Sequence, residues 1–170
     1  RKFDKMNKYA GNSITLAFVI GMVIMIVAHF LSRPLLKAID TPDDIIDMSA
    51  QYIDVLYYAV PIQMSLNNFN ALSRAVGDSK RPLYFLIVSV IVNLLLDILF
   101  VGAFKWGVIG AAWATAISEL VAAVLSAISV LKYTEEYNID KTALKIDGKV
   151  SWAQIKIGIP ISLQFSITSI

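Results

Sequence analysis

The chain is 170 residues long, 57% of its residues are hydrophobic, and its formal net charge is +2 at pH 7. A soluble domain is usually only about 45–50% apolar, so this composition, with a mean hydropathy of +0.66, predicts a membrane protein. The basic residues cluster in loops, and this pattern argues against a nucleic-acid partner. The sequence contains no cysteine, which excludes disulfides, thiolate metal sites and a cysteine nucleophile.

Apolar segments of membrane length recur along the chain and predict an all-α, polytopic helix bundle. Four complete segments span residues 13–31, 45–75, 82–101 and 108–131, and a fifth begins near residue 155. The first residue is an arginine, and the last residue lies within the fifth apolar segment. We therefore expect a fragment of a longer protein, with the missing helices of the same chain as its partners in the lipid bilayer.

The second segment is more polar than the others and carries Pro61 near its middle. Proline removes a backbone hydrogen bond, which a membrane helix tolerates where neighbouring helices or water satisfy the backbone. We therefore expect this helix to line a cavity or a passage instead of facing lipid throughout. Gly77, Asp78 and Ser79 predict its end, and Pro82 suits the first turn of the next helix.

The distribution of lysine and arginine predicts the orientation of the helices. Most of the 15 basic residues fall before the first segment, between the second and third, and after the fourth. The loop after the first segment is instead dominated by aspartates. The positive-inside rule therefore places the Arg74–Arg81 loop and the Lys132–Lys156 connection on the cytoplasmic side of the plasma (inner) membrane.

The third segment contains an acid, which is costly inside a bilayer unless it meets a partner, a cavity or an ion. Ser89, Asn93 and Asp97 recur every four residues and form one polar stripe. In the fourth helix, which returns through the membrane, Thr115 is predicted at nearly the same depth as Asp97. Beside it runs a ridge of small residues that permits close helix contact: Gly110, Ala114, Ser118, Ala122 and Ser126.

Asp97, Asn93 and Thr115 together predict a site for a coupling ion. Oxygen ligands of these types suit Na⁺, and a partly desolvated carboxylate also binds H⁺; no other cofactor is indicated. Three side chains are too few for a closed ion cage, so water or a further helix must complete it. The alternative is structural: Asp97 hydrogen-bonds a neighbouring helix, and Asn93 and Thr115 form interhelical hydrogen bonds.

Further polar residues are candidates for a cavity or a proton site: Glu119, Tyr57, Gln63 and Asn68. Glu119 is a second acid inside a membrane segment, and it either faces a cavity or pairs within the bundle. The other three lie in the second segment, and they either line a substrate passage or face neighbouring helices. His29 lies near a helix end beside Arg33, which favours an interfacial position over a ligand role.

Four runs of sequence resemble multidrug and toxic compound extrusion (MATE) transporters, in the order found in that family. They are ALSRAVGDSKRPLY at 71–84, NLLLD at 93–97, WGVIGAAWATAISE at 106–119 and KIGIPISLQ at 156–164. The resemblance implies two six-helix lobes, of which this chain holds helices three to six and the start of seven. Residues 1–131 then belong to the amino-terminal lobe, residues 132–154 to the inter-lobe connection, and residues 155–170 to the second lobe.

The resemblance also implies that Asn93, Asp97 and Thr115 correspond to the cation site of the family's amino-terminal lobe. Two departures from the family pattern are visible. Glu119 stands where many relatives have an amide. In one branch of the family an acid follows the seventh-helix proline by about two turns, whereas no acid follows Pro160 here. The second departure weakens an assignment to that branch and gives more weight to Asp97.

These observations predict a secondary active exporter that moves an amphipathic, often cationic compound outward against Na⁺ or H⁺. The fragment alone is expected to be inactive. A related flippase for lipid-linked saccharides is the first alternative. A membrane-embedded hydrolase using Asp97 and Glu119 is a remote one, because no metal-binding His-Glu motif, nucleophile elbow or phosphate loop accompanies these acids. We therefore do not expect an enzyme.

Overall fold

The computed structural model describes residues 2–132 and 147–168, and within them the chain consists of helices joined by turns. In chain order the helices are α1 (Lys2–Ala38), α2 (Asp43–Ala75), α3 (Lys80–Asp97), α4 (Gly107–Lys132) and α5 (Gly148–Thr168). A π-helical turn, Ile98–Ala103, continues α3. The predicted all-α bundle is confirmed, whereas most of the predicted connection at 132–154 lies outside the described residues.

The turn between α2 and α3 follows from the chemistry of its residues. Gly77 adopts a φ of 84°, and the N–H of Asp78 donates to the carbonyl of Ser73 at 2.9 Å, as in a Schellman motif. The Asp78 carboxylate then accepts hydrogen bonds from the backbone N–H groups of Lys80 (3.1 Å) and Arg81 (3.2 Å). The predicted helix end is confirmed, and the same aspartate begins the next helix.

Three of the described helical stretches are long and apolar enough to cross a membrane: Lys8–Ala38, Lys80–Ala103 and Gly107–Val130. The sequence also predicts residues 45–75 as a membrane segment, and this is not confirmed. α2 is about 50 Å long at 1.5 Å per residue, but it is less apolar because amide side chains occupy its second half. α2 lies in the middle of the bundle, packed between α1 and α4.

α1 and α2 meet backbone to backbone at Gly21 and Pro61. A Cβ atom on residue 21 would lie 2.6 Å from the Cα of Pro61, so this position requires glycine. α2 continues as a helix through Pro61, and the Ser65 hydroxyl donates to the Pro61 carbonyl at 2.8 Å. A small residue on one helix therefore sets how closely the other can approach.

α4 packs against its neighbours through small side chains. Every member of the predicted ridge is buried: Gly110, Ala114, Ser118, Ala122 and Ser126. On an adjacent face, Ala112 and Ala116 form an apolar cluster with Val55 and Ala59 of α2. The predicted ridge is therefore confirmed as a packing surface.

A cluster of polar side chains holds α5 against the first part of α1. The fully buried Asn12 amide donates to Ser151 Oγ at 3.1 Å and to Gln154 Oε1 at 2.8 Å. Its Oδ1 atom accepts the backbone N–H of Asp147 at 2.8 Å. Lys8 forms an ion pair with the Asp147 carboxylate at 2.5 Å. These contacts tie the beginning of α5 to α1 through side chains that are distant in sequence.

Asp147 also begins α5. Its carboxylate accepts the backbone N–H groups of Lys149 (2.9 Å) and Val150 (3.4 Å), so α5 starts at Gly148 and not near residue 155. The hydrogen bond from Lys8, followed by the two backbone bonds, lowers the pKa of Asp147 from its usual 3.8. Because the folded state favours the charged form, this contact stabilises the fold at neutral pH and is lost only as the pH falls below 3.8.

Gly21→Ala is expected to destabilise the full-length protein by about 1–3 kcal/mol, because the new Cβ forces α1 away from Pro61. Thermal unfolding of the purified protein measures the change. Gly102→Ala is the control, since nothing lies within 4 Å of a Cβ at that position. Equal melting temperatures for Gly21→Ala and the wild-type protein would contradict the backbone contact.

Asn12→Leu is expected to cost about 1–3 kcal/mol, because it leaves the buried groups at the start of α5 without their hydrogen-bond partner. Limited proteolysis of α5 and thermal unfolding both report the loss. Ser32→Ala is the control: Ser32 is also buried, but its hydroxyl donates to the His29 carbonyl of its own helix. Equal effects of the two substitutions would show that Asn12 does not hold α5.

Candidate functional site

A polar cavity of about 310 Å³ lies between α2, α3 and α4. Its wall combines amides, hydroxyls and one acid: Gln63, Asn67, Asn70, Ser89, Asn93, Thr115, Ser118 and Glu119. The rest of the wall is mainly apolar. This geometry agrees with the interpretation that the proline-containing second helix lines a cavity.

The polar stripe of α3 faces α4. The Ser89 hydroxyl donates to the Ser118 carbonyl at 3.0 Å, and Asn93 Nδ2 donates to Thr115 Oγ1 at 3.5 Å, a long and weak hydrogen bond. Thr115 Oγ1 in turn donates to the carbonyl of Ala111 at 3.1 Å. Asn93 and Thr115 are therefore neighbours across the two helices.

Asp97 lies one helical turn beyond this contact and is not on the wall of the cavity. Its Oδ1 atom is buried and has no hydrogen-bond partner among the described residues. The sequence predicts Thr115 level with Asp97, whereas the structure pairs Thr115 with Asn93. Asn93 and Thr115 are thus in contact, Asp97 lies one turn further along α3, and the three predicted ligands do not form a closed set.

Asp97 is the last residue of α3 before the π-helical turn. Within that turn the N–H of Phe104 donates to the carbonyl of Leu99, five residues back, at 2.9 Å. The rings of Phe100 and Trp106 stack over the end of the turn with their centroids 5.0 Å apart. π-Helical turns occur frequently at functional sites, and this one adjoins the acid of the candidate site.

The buried Oδ1 atom of Asp97 fits a monovalent cation or a proton. A buried carboxylate oxygen without a donor is costly, and either ligand relieves this cost. In the part of the chain that the structure describes, no group of three or more His, Cys, Asp or Glu side chains can hold a metal ion. A cation at Asp97 therefore also needs neutral oxygens, and Asn93 and Thr115 carry such atoms one turn away.

Glu119 lies on the cavity wall and is half-buried. Its Oε1 atom accepts a hydrogen bond from Gln63 Nε2 at 3.2 Å. The two interpretations of this acid, a cavity-facing group and a residue paired within the bundle, therefore both apply. Gln63 and Glu119 place a hydrogen-bonded carboxylate where a ligand in the cavity can reach it.

Asn68 and Tyr57 lie elsewhere. Asn68 lines a second, mainly apolar cavity of about 610 Å³ between α1, α2 and α5, where its Oδ1 atom accepts the Ser13 hydroxyl at 3.2 Å. Tyr57 is half-buried and lines neither cavity. The sequence groups these residues with Gln63 because they share one helix, but different faces of that helix meet different neighbours.

Asp54 is a residue that sequence reasoning missed. Its Oδ1 atom is buried and lies 3.2 Å from Nδ1 of His29 where α1 and α2 pack, and the His29 side chain itself is 43% exposed. His29 thus faces an acid of α2, and its interfacial position stays a prediction. The sequence does indicate Asp54, because it is an aspartate within the second predicted membrane segment. It follows closely on the aspartates of the preceding loop, however, and is easily counted with them.

Long apolar helices around a polar cavity, with acids inside the bundle, are the features of a multi-pass membrane protein. The MatE family model matches residues 1–99, and the chain belongs to this family. The resemblance seen in the sequence is thereby confirmed. The family consists of transporters and not of enzymes, so the hydrolase alternative is not retained.

The relatives found among curated proteins carry multidrug names. The probable multidrug resistance protein YoeA of Bacillus subtilis (strain 168) is 30% identical over 98% of this chain. The multidrug export protein MepA of Staphylococcus aureus (strain MRSA252) is 23% identical over 96% of it. The chain spans 38% of the first relative's length and 36% of the second's.

Two solved structures share the fold. One is an inward-facing conformation of a multidrug resistance MATE family transporter of the MOP superfamily, with a TM-score of 0.79 and 23% identity, covering 89% of this chain and 34% of that one. The other is a MOP superfamily transporter from Pyrococcus furiosus, with a TM-score of 0.83 and 23% identity. The match covers 92% of this chain and 35% of that one. At this identity the similarity shows the fold alone.

Proposed function

We propose that the full-length protein is a secondary active exporter, which moves amphipathic, often cationic organic compounds outward in exchange for Na⁺ or H⁺. Family membership and the multidrug names of the relatives support this proposal. Because the chain spans 38% of the first relative's length, the proposal concerns the full-length protein and not the described residues alone. Its location in the plasma (inner) membrane belongs to the same proposal.

The observation that carries the proposal is the buried Oδ1 atom of Asp97, which lies within a membrane-length helix and has no hydrogen-bond partner among residues 2–132 and 147–168. Coupled transport needs a group that binds an ion in one conformation and releases it in another. Asp97 offers the charge for this, with Asn93 and Thr115 as neutral ligands one turn away. Water or an oxygen from a missing helix completes the set.

Ion binding changes the energetic balance around Asp97. An occupied carboxylate is neutralised and can be buried, whereas an empty one favours contact with water. The ion therefore biases the lobe between two conformations by its different affinity for each. The adjacent π-helical turn is a place where the bonding pattern of α3 can adjust to the state of the acid.

The polar cavity between α2, α3 and α4 supplies a binding surface for part of the transported compound. Glu119 attracts a cationic group, and the surrounding amides donate and accept hydrogen bonds. The cavity of about 310 Å³ has room for one polar end of such a molecule. We assign Glu119 to substrate recognition and Asp97 to coupling.

The positive-inside rule supports an orientation in which the Arg74–Arg81 loop and the Lys132–Lys156 connection face the cytoplasm. In this orientation α3 runs outward, and Asp97 lies in the outer half of the membrane. A carboxylate at that depth is positioned to take up its ion from the outside while the transporter faces outward.

Asp97→Asn is expected to abolish ion-driven efflux while the protein remains folded, because an amide keeps the size of the side chain and loses its charge. The measurement is drug-dependent flux in proteoliposomes of the full-length protein, with Na⁺ and pH gradients varied separately. The same assay identifies the coupling ion. Asp44→Asn is the matched control, since Asp44 is exposed at the first turn of α2. Normal ion-driven efflux by Asp97→Asn would refute the coupling role.

Glu119→Gln is expected to weaken binding of a monovalent organic cation about tenfold, or about 1.4 kcal/mol, since only the charge changes. Titration of the purified full-length protein with a fluorescent cation gives the dissociation constant. A neutral compound of similar size is the control and should bind the variant and the wild-type protein equally. Equal losses for both compounds would mean that Glu119 shapes the cavity and does not recognise charge.

A further inference from the structure

The hydroxyl groups that line the polar cavity donate their hydrogens to backbone carbonyls. The Ser89 hydroxyl donates to the carbonyl of Ser118 at 3.0 Å, and the Ser118 hydroxyl donates to that of Thr115 at 2.8 Å. The Thr115 hydroxyl donates to the carbonyl of Ala111 at 3.1 Å. A hydroxyl has one hydrogen and a carbonyl can only accept, so the hydrogens of these hydroxyls are committed. Toward a molecule in the cavity, their oxygens therefore act as acceptors.

Two amide groups of the wall also turn their nitrogen atoms toward acceptors of the protein. Asn93 Nδ2 donates to Thr115 Oγ1 at 3.5 Å. Gln63 Nε2 donates to Glu119 Oε1 at 3.2 Å. Neither amide can be reversed, because an ionised carboxylate has no hydrogen and the hydrogen of Thr115 is committed to Ala111. The amide oxygens, Oδ1 of Asn93 and Oε1 of Gln63, are therefore the ends that remain for a ligand.

The wall carries more acceptors than donors, and its charge is negative. Glu119 is the charged side chain among the described residues of the wall, and its Oε2 atom adds a further acceptor. In the same part of the chain, the donors that remain are the second N–H groups of Gln63 and Asn93 and the amides of Asn67 and Asn70. Each of these side chains also brings an acceptor oxygen. A molecule that supplies hydrogens and positive charge complements such a wall.

Organic cations differ in whether they carry hydrogen-bond donors. Primary ammonium and guanidinium groups carry several N–H donors, as the side chains of lysine and arginine do, whereas a quaternary ammonium carries none. Quaternary ammonium groups are instead typically held against the faces of aromatic rings. The described residues that line this cavity include one aromatic side chain, Phe85. The wall therefore suits a cation with N–H donors and suits a quaternary cation poorly.

We propose that this cavity selects organic cations that carry N–H groups, such as a primary ammonium or a guanidinium, over quaternary ammonium compounds of similar shape. A primary ammonium loses strongly held water when it is buried, and acceptors of the protein have to replace that water. A quaternary group holds its water less strongly, so a cavity without these acceptors would favour it instead. The inference rests on the proposed exporter function only where it takes the bound cation to be the transported compound.

The experiment compares two cations that share one aromatic body, 2-naphthylmethylammonium and its N,N,N-trimethyl derivative. Both are positively charged at pH 7, and they differ in their N–H groups. Calorimetric titration of the purified full-length protein gives the two dissociation constants. The primary ammonium should bind about tenfold more tightly or better. Equal affinities, or tighter binding of the trimethyl compound, overturn the proposal.

Thr115→Val places the preference in this cavity, because it removes one acceptor oxygen and keeps the size and charge of the side chain. Affinity for the primary ammonium should fall about three- to tenfold, and affinity for the trimethyl compound should stay the same. Any effect on a coupling ion changes both affinities alike and cancels in their ratio. Thr15→Val is the matched control, since the Thr15 hydroxyl also donates to its own helix, at the Gly11 carbonyl, and lines neither cavity.

A ratio of affinities that is unchanged in Thr115→Val, or that falls equally in Thr15→Val, overturns the proposal. If Thr115→Val does not fold, the comparison of the two cations in the wild-type protein still decides. Flux of the same cations in proteoliposomes separates this inference from the exporter function. Export of both cations with equal binding refutes the preference alone, whereas preferential binding without export of either refutes the exporter function alone.

Discussion

The contact between Gly21 and Pro61 governs the arrangement of the bundle. Because α1 and α2 meet there at backbone distance, α2 is held in the middle and presents its other side to α4. A central helix has little contact with lipid, so it can carry amides and acids that are costly on an outer helix. This position explains why Gln63 and Asn68, little more than one turn apart, line two separate cavities. The lower apolar content of α2 therefore follows from its position between α1 and α4.

Three acids inside the bundle meet three different environments. Glu119 accepts a hydrogen bond from an amide, Asp54 faces an imidazole, and the Oδ1 atom of Asp97 meets no donor in the part of the chain described. The group opposite a carboxylate, more than its depth alone, decides what the carboxylate can bind. One short sequence therefore holds three chemically distinct acids, and this difference underlies the separate roles proposed for Asp97 and Glu119.

The sequence predicts the helices and the small-residue ridge of α4, because these depend on periodicity along single helices. It predicts Thr115 level with Asp97 and not its pairing with Asn93, since counting residues fixes depth only to about one turn. The pairing of His29 with Asp54 depends on how α1 rotates against α2. The start of α5 depends on hydrogen bonds from Asn12, 139 residues away from Ser151, which no local pattern encodes.

That long separation has a consequence for the order in which the protein is made. Asn12 is completely buried in the finished fold, but its partners Ser151 and Gln154 leave the ribosome long after α1 has entered the membrane. At about 5–20 residues per second, a separation of 139 residues takes about 7–28 s to synthesise. During that time the amide must be satisfied by water or by another protein. The burial of Asn12 by α5 is therefore a late event in assembly.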